Sequence, residues 1–365
     1  MNNAISFPGR YCQGKGLLSQ TGQWVSLCGK RPLVLWEKFL SDTVGDKVRQ
    51  SFSKQGMTCV EALFKGETTR KAADALVQTV RSNGCDVVVG LGGGKAIDTA
   101  KAAAALAKVP CVIVPSIASN DAPTSACTVW YNEAGEYEGF DLWPSNPNII
   151  LVDTEVIAKA PVRFLVAGMG DALATWPEAR SAYGKRAVST AGGTQTLTAL
   201  AMAKLCFDTI MGYGVEAKAA VERGVVTPAV EKVVEANILL SGVGWESGGL
   251  ATAHAIANSL PALHETHGLM HGEKVAFGLM TQLCLEQDIS PDEVYSTVDF
   301  MNAVGLPTTF RAMHMEDISK ERLLVFAVSV SGAGSFVHNH AFAVTPEMIV
   351  DAMYAADSLG QRRLK

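Results

Sequence analysis

The chain has 365 residues, of which 48% are hydrophobic, so it is long enough for two domains that each bury an apolar core. Its net charge of −5 and its isoelectric point of about 5.8 argue against nucleic acid or an anionic membrane as a partner. No apolar run approaches the roughly 20 residues that span a bilayer, and the N-terminal sequence lacks the apolar core of a secretory signal. The eight cysteines contain no CxxC pair, which favours a reducing cytoplasm over disulfides or a cysteine zinc site.

Short apolar segments alternate with helical ones over the first 160 residues. Helical patterns such as residues 67–84, ended by Gly84, separate five segments rich in Val and Ile that predict buried strands. The strand candidates are residues 33–36, 58–63, 86–91, 111–116 and 149–153. Strands of this kind, joined by helical crossovers, predict a parallel sheet covered on both faces. Residues 128–141 alternate around Glu133-Ala134-Gly135 and predict a β-hairpin.

The apolar segment 85–91 runs into Gly92, Gly93 and Gly94, which are followed by Lys95 and a helical stretch. This order predicts a strand, a tight turn and a helix N-terminus, in which glycine would permit positive φ and the close approach of a ligand. Backbone N–H groups and the helix dipole at such a turn favour an anion, in particular a pyrophosphate. The spacing matches neither the ATPase loop nor the G-x-G-x-x-G fingerprint, so a glycine-rich turn without a ligand is an alternative.

Polar residues near this turn are candidate cofactor contacts. Glu37 ends the first strand and could accept a hydrogen bond from an adenosine ribose hydroxyl, or it could be a solvated charge. Asp98 lies one helical turn beyond the glycines and is either a partner for the helix dipole or a cofactor contact. The segment 116–131 follows a strand and is expected at the carboxyl edge of the sheet, although an ordinary polar turn has the same composition. Its candidate binding residues are Ser116, Ser119, Asp121 and Ser125.

Beyond residue 160 the pattern changes to Ala-rich helical segments without a clear strand. We therefore expect an α/β domain over residues 1–160 and an all-helical domain over residues 161–365. In the helical half, Asp171, His254 and His271 supply one carboxylate and two imidazoles, which is the ligand set of a catalytic zinc site with one open position. No short metal motif joins them, and a single histidine is more often a surface or core residue than a ligand.

Longer motifs carry a more specific signal, and they are distributed along the whole chain. They are GLGGGKAIDTAK, SIAS-x-DAP-x-S, GMGDALATWPEAR, GWESGGLATAHA, HGEKVAFG and VTPEMIVDAMYAADSLGQ. Through them the chain resembles, essentially end to end, the glycerol dehydrogenases of the iron-containing alcohol dehydrogenase and dehydroquinate synthase-like superfamily. The resemblance implies a Rossmann-like, NAD-binding α/β domain with a parallel sheet, followed by a dehydroquinate synthase-like helical domain that binds metal and substrate. It also implies an active site in the cleft between the two domains.

The resemblance further assigns roles to individual residues. It implies that Asp171, His254 and His271 bind one zinc ion per subunit and that Asp121 faces glycerol. The resemblance adds further expected NAD contacts to the glycine turn and Asp98. The full set is Glu37, Gly92, Gly93, Gly94, Lys95, Asp98, Ser116, Ser119, Ser125, Cys127 and Tyr131. The implied activity is the reversible, NAD-dependent oxidation of glycerol and related vicinal diols to hydroxyketones. The implied assembly is a cytoplasmic homo-oligomer, and octamers occur in the family.

Several positions depart from the common family pattern. Glu37 stands in place of Asp, Thr124 in place of Cys, and Ala257 in place of His. Thr175 occupies the position where iron-dependent relatives carry a further histidine, which favours zinc over iron. His267, four residues before His271, is a candidate proton relay.

Other functions remain as alternatives. A dehydroquinate synthase-type lyase or a glycerol-phosphate dehydrogenase of the same superfamily would need several cationic side chains to bind phosphate, and residues 241–275 contain only Lys274. A non-haem iron oxygenase also uses two histidines and one carboxylate, but it has no need of the glycine turn. A non-catalytic NAD-binding protein of this fold would be expected to lack one of the three metal ligands.

Overall fold

The structure is a computed structural model that describes residues 2–364, and the chain divides into two compact units. The α/β unit comprises Ser6–Val162 and Ala220–Gly242. The helical unit comprises Arg163–Ala219 and Val243–Lys365 with Met1–Ile5, as far as these residues are described. The main division falls close to the expected boundary after residue 160, but residues 220–242 return to the α/β unit.

The strands and helices alternate in the first half of the chain, and helices dominate the second. The strands are β1 (Asn3–Ala4), β2 (Tyr11–Gly14), β3 (Pro32–Trp36), β4 (Val60–Leu63), β5 (Val87–Gly92), β6 (Cys111–Pro115), β7 (Cys127–Tyr131), β8 (Tyr137–Leu142), β9 (Ile149–Asp153) and β10 (Thr194–Gln195). The first α-helices are α1 (Thr21–Val25), α2 (Lys38–Thr43), α3 (Gly45–Ser53), α4 (Arg70–Asn83), α5 (Gly94–Ala107) and α6 (Thr154–Lys159). Those that follow are α7 (Val162–Lys185), α8 (Leu197–Val221), α9 (Pro228–Glu235), α10 (Ser241–Gly248), α11 (Thr252–Ser259), α12 (His271–Leu285), α13 (Pro291–Val304), α14 (Lys320–Val330) and α15 (Pro346–Arg363).

A six-stranded parallel sheet forms the centre of the α/β unit, in the order β2-β9-β6-β5-β3-β4. All five predicted strands belong to it, and four of them are buried along their whole length, as their continuous apolar sequences require. The edge strand β2 was not predicted, because its residues YCQG lack the Val and Ile that marked the other strands. The helix predicted to end at Gly84 is also confirmed, since Gly84 closes α4 in the left-handed conformation.

The predicted hairpin is formed by the antiparallel strands β7 and β8. Its turn uses Gly135 at a φ of 81°, and the side chain of Asn132 accepts hydrogen bonds from the N–H groups of Ala134 and Glu136. A bulge between Trp130 and Tyr131 interrupts the register of the two strands.

The helical unit buries its own apolar core between α11, α12, α14 and α15. Its largest members include Ile256, Leu260, Phe277, Phe326 and Met353. The expectation of no strand in this half is wrong in one place, because β10 pairs in parallel with β1 over two residues. Two residues are too few to produce a strand pattern in the sequence. No helix among the described residues is long and apolar enough to cross a membrane.

Candidate active site

The three predicted metal ligands come together in the helical unit. Asp171 lies on α7, His254 lies on α11, and His271 begins α12, with the ligand atoms of all three within 4.8 Å of one another. Nε2 of His254 and Nε2 of His271 are 3.3 and 3.4 Å from Oδ1 of Asp171. A tetrahedral ion with bonds of roughly 2.0–2.2 Å separates its ligands by about 3.3–3.6 Å. The chemistry of the donor set therefore suits a divalent metal ion, and the two distances from Asp171 to the histidines agree with the spacing of ligands around one.

Two glycines allow the backbones that carry these ligands to approach closely. A Cβ on Gly170 would lie 2.3 Å from the carbonyl oxygen of Gly272, and a Cβ on Gly272 would lie 1.8 Å from the carbonyl oxygen of Ala167. Each glycine is next to a ligand, Asp171 or His271. This arrangement agrees with the expectation that the flanking glycines permit close packing around the site.

A second buried carboxylate, Glu178, holds His254 from the opposite side of its ring. One Glu178 oxygen pairs with Nδ1 of His254, and the other accepts hydrogen bonds from the N–H groups of Ala251 and His254 at 2.8 and 2.9 Å. Nδ1 of the imidazole thereby carries the proton, and Nε2 is directed to Asp171. Sequence reasoning missed Glu178, although its position seven residues after Asp171 places both carboxylates on one face of α7.

The pKa values of this cluster reflect burial opposed by charge. Burial alone would raise the pKa of Asp171, but the His271 and His254 imidazoles outweigh it and hold that pKa well below its ordinary value. Burial would lower the pKa of His254, but Glu178 and Asp171 raise it well above its ordinary value. A metal ion at this site would therefore compete with protons for His254 and would take the place of the histidine charges beside Asp171.

His267 is exposed and lies four residues before His271 in the sequence. Its Nε2 donates a hydrogen bond to the carbonyl of Pro261 at 2.8 Å. The role of His267 as a proton relay stays a prediction.

In the α/β unit the glycine-rich segment forms the predicted strand, turn and helix start. Gly92 ends β5, Gly93 precedes α5, and Gly94 is its first residue. The expectation of positive φ at this turn is wrong, since none of the three has it and φ of Gly93 is −83°. A Cβ on these glycines would instead lie 2.7 Å from Cβ of Ala96, 3.1 Å from Ile117 and 3.1 Å from Asn120, respectively. Glycine is needed here because helix, strand and loop pack closely.

Charged and aromatic residues predicted to contact NAD lie around this turn. Oε1 of Glu37 accepts a hydrogen bond from the N–H of Gly93 at 3.0 Å. Nζ of Lys95 pairs with the carboxylate of Glu67 at 2.6 Å and lies 4.7 Å from the ring centre of Tyr131. Burial raises the pKa of Tyr131 to about 12, so its hydroxyl stays protonated at neutral pH. The turn therefore carries both acidic and basic groups.

Asp98, in contrast, is buried in an ion pair. Its Oδ1 lies 2.8 Å from Nζ of Lys101, and its Oδ2 accepts a hydrogen bond from the N–H of Val129 at 2.9 Å. Nζ of Lys101 also donates to the carbonyls of Ala122 and Ser125, at 2.8 and 3.3 Å. These contacts connect α5 to the loop that follows β6. The cofactor roles of Asp98 and Ser125 stay predictions, beside this structural role that the sequence analysis did not anticipate.

The remaining candidates belong to the segment between β6 and β7. Ser116 is buried and donates its N–H to the carbonyl of Gly92 at 3.0 Å, and the buried Cys127 begins β7. Ser119 and Asp121 are half-buried in the loop between these strands. Oδ2 of Asp121 accepts a hydrogen bond from the Ser241 hydroxyl at 3.2 Å. Ser241 is a residue that sequence reasoning did not single out.

Known proteins resemble the chain along its whole length. Residues 8–154 match the family described as iron-containing alcohol dehydrogenase. The chain is 44% identical to a glycerol dehydrogenase of Citrobacter freundii, with 100% of both chains covered. It is 46% identical to one of Thermotoga maritima, with 98% of this chain and 97% of the relative covered. The crystal structure of glycerol dehydrogenase from Schizosaccharomyces pombe matches with a TM-score of 0.95 at 36% identity, over 99% of this chain and 92% of that one.

Proposed function

Since the chain belongs to the iron-containing alcohol dehydrogenase family, whose members include the glycerol dehydrogenases it matches along its whole length, we propose that it oxidises glycerol and related vicinal diols with NAD and zinc. The products are hydroxyketones, and the reaction is reversible. The observation that carries this proposal is the convergence of Asp171, His254 and His271, three ligands that leave one coordination position for an alcohol. The proposal thus combines the reaction class of the family with a group of residues suited to binding a metal that activates a hydroxyl group.

The metal-binding residues have distinct tasks. Asp171, His254 and His271 would hold the ion, which would supply Lewis-acid chemistry toward an alcohol hydroxyl. Glu178 fixes the tautomer and ring orientation of His254. Thr175, buried one helical turn after Asp171, adds no imidazole to the set, which supports zinc rather than iron.

The glycine turn and the N-terminus of α5 are the proposed site for the NAD pyrophosphate. Glu37 lies at this turn and would accept a hydrogen bond from a ribose hydroxyl, whereas its charge would repel the 2′-phosphate of NADP. We expect a higher kcat/KM with NAD than with NADP and a smaller preference in Glu37→Ser. Equal kcat/KM values for the two cofactors would contradict this assignment.

Asp121 is the proposed contact for the second hydroxyl of the diol. A metal alone would accept many small secondary alcohols, so the choice of a vicinal diol needs a further polar group. Loss of a hydrogen bond to a charged acceptor costs about 1.5–3 kcal/mol, or roughly ten- to a hundred-fold in kcat/KM. We therefore expect Asp121→Ala to lose this much activity on glycerol and much less on 2-propanol.

The proposed location and assembly follow from other features. All eight cysteines lie within the described residues and are free thiols, which supports a cytoplasmic location. Helix α14 exposes Leu324, Val325 and Val328, which supports a homo-oligomer, for which an octamer is the expected form. The net negative charge supports small-molecule substrates over nucleic acid or membrane partners.

One experiment tests the function directly. Zinc content is measured in the purified protein, and NADH formation is followed with glycerol, 1,2-propanediol, 2-propanol and glycerol phosphate. We expect about one zinc ion per chain, turnover of both free diols, and loss of activity on chelation that zinc restores. A preference for the phosphorylated diol, or full turnover without metal, would overturn the proposal.

A further inference from the structure

Residues 236–242 form a segment that we call the brace. It consists of a π-helical turn, Ala236–Leu240, followed by Ser241 and Gly242. The brace belongs to the α/β unit, whereas the chain from Val243 onward belongs to the helical unit. π-Helical turns are rare and are often found at functional sites, so the contacts of the brace are candidates for a functional role.

The brace contacts the Asp121 loop, residues 118–124, at three points. The Asn237 side-chain amide donates a hydrogen bond to the carbonyl of Ala118 at 2.9 Å. The Thr124 hydroxyl donates to the carbonyl of Ile238 at 3.0 Å. Between these two, the Ser241 hydroxyl donates to the Asp121 carboxylate at 3.2 Å. The loop is thus held at both of its ends and at the side chain in its middle.

Burial raises the energetic cost of losing these hydrogen bonds. The side chains of Asn237 and Ser241 are fully buried, and buried polar groups are costly unless they are hydrogen-bonded. Gly242 shows how close the two segments are, because a Cβ there would lie 1.8 Å from the Thr124 hydroxyl and 3.0 Å from the Asp121 carbonyl. Loop and brace therefore form one packed arrangement.

We propose that Ser241 is a positioning residue that orients the Asp121 carboxylate toward the second hydroxyl of a vicinal diol. This inference rests on the proposed function. The terminal torsion of an aspartate side chain has a broad energy minimum, so a half-buried carboxylate needs a partner to hold one orientation. The Ser241 hydroxyl supplies that partner. A carboxylate already oriented loses less conformational freedom when the diol binds.

The test compares Ser241→Ala with Ser51→Ala. Both serines are buried hydroxyls of the α/β unit, but Ser51 lies on α3 and pairs with Gly22 and Val48. The measured quantity is the ratio of kcat/KM for glycerol to that for 2-propanol. We expect Ser241→Ala to lower this ratio roughly ten-fold, the effect of one hydrogen bond to a charged group, and Ser51→Ala to leave it within about two-fold.

Two further measurements separate orientation from a general loss of structure. Ser241→Thr keeps the hydroxyl and is expected to restore most of the ratio if its melting temperature matches that of the wild type. Hydrogen exchange of residues 116–125, measured without NAD or substrate, is expected to be faster in Ser241→Ala than in Ser51→Ala.

The outcomes distinguish this inference from the proposed function. A wild-type enzyme with no preference for glycerol over 2-propanol would refute the proposed function, and the inference with it. A wild type that prefers glycerol, with a Ser241→Ala variant that keeps the same ratio, would refute the inference alone. Unchanged hydrogen exchange in the loop would also contradict it.

Discussion

Asp98 and Asp171 are both buried carboxylates on helices, one in each unit, yet their partners differ in kind. Asp98 faces the ammonium group of Lys101, whereas Asp171 faces the imidazoles of His254 and His271. An ammonium group has no lone pair to offer a metal while it is charged, but an imidazole that loses its proton becomes a ligand. Burial alone therefore does not mark a reactive carboxylate; the chemistry of its partner does.

The pKa values of the two carboxylates shift in opposite directions. Burial raises the pKa of Asp98 despite the nearby Lys101. At Asp171 burial acts in the same direction, but the two histidines outweigh it and lower the pKa. At Asp171 the charged form is thus favoured beside two potential metal ligands, whereas at Asp98 burial opposes the charged form and Lys101 offsets only part of that cost.

The largest effect is expected when the metal set is broken. His271→Ala should lose zinc and reduce turnover at least about a thousand-fold, since Lewis-acid activation is worth several kcal/mol. Zinc analysis, circular dichroism and NADH formation measure the outcome. The matched control is His264→Ala, which removes an exposed imidazole of the same unit and should keep zinc and activity. Full zinc and turnover in His271→Ala would mean that Asp171 resembles Asp98 in being structural.

Breaking the other pair should lower the stability of the fold. Lys101→Met leaves the buried charge of Asp98 without its cation and should cost about 3–5 kcal/mol, read from urea unfolding. The double variant Asp98→Leu/Lys101→Met removes both charges and should recover much of this loss. A double variant no more stable than Lys101→Met would show that the ion pair itself is not the source of the cost.

A smaller effect is expected from the carboxylate behind His254. Glu178→Gln removes the charge that orients the imidazole and should weaken zinc binding ten- to a hundred-fold, measured by competition with a chelator. Glu293→Gln is the control, because Glu293 is a half-buried carboxylate of the same unit that pairs with Arg180 and not with a histidine. Equal zinc affinity in both variants would mean that Glu178 does not contribute to zinc binding.

The pH dependence of Lys101→Met gives the smallest effect and the sharpest contrast. A carboxylate with a raised pKa stabilises the fold below its unfolded pKa, and this contribution is lost as pH rises through the folded pKa. Without Lys101 the pKa of Asp98 should rise further, so the penalty should shrink at low pH by up to about 1.4 kcal/mol per pH unit. Unfolding measured at two pH values one unit apart, about pH 6 and about pH 7, checks this. A penalty that grows toward low pH would contradict it.

The sequence predicted the features whose signals are local or repeated. Continuous Val and Ile segments marked the buried strands, and β2 was missed because its four residues lack that composition. At the glycine turn the glycines correctly indicated a tight strand-to-helix connection, but the expected reason, positive φ, was wrong. The actual reason is close packing against Ala96, Ile117 and Asn120, which only the fold brings to the turn. The three-residue spacing between Asp98 and Lys101 was visible in the sequence. That their side chains pair, and that the pair is buried, is seen only in the structure.

The site divides in the same way. Asp171, His254 and His271 lie in motifs long enough to be matched to a family, and the structure brings them together. Glu178 had a signal in its helical spacing from Asp171. Ser241 and Asn237 had none, because their partners lie about 120 residues earlier and the fold alone brings them into contact.

The return of residues 220–242 to the α/β unit bears on how the chain is synthesised. When Val162 leaves the ribosome, every strand of the central sheet has been made, but the brace is still about 80 residues away. At roughly 5–20 residues per second this interval lasts about 4–16 s. During that time the sheet can form, while the loop that carries Asp121 still lacks its contacts with Asn237 and Ser241. The last part of the α/β unit to mature is therefore the loop that carries the proposed contact for the second hydroxyl of the diol.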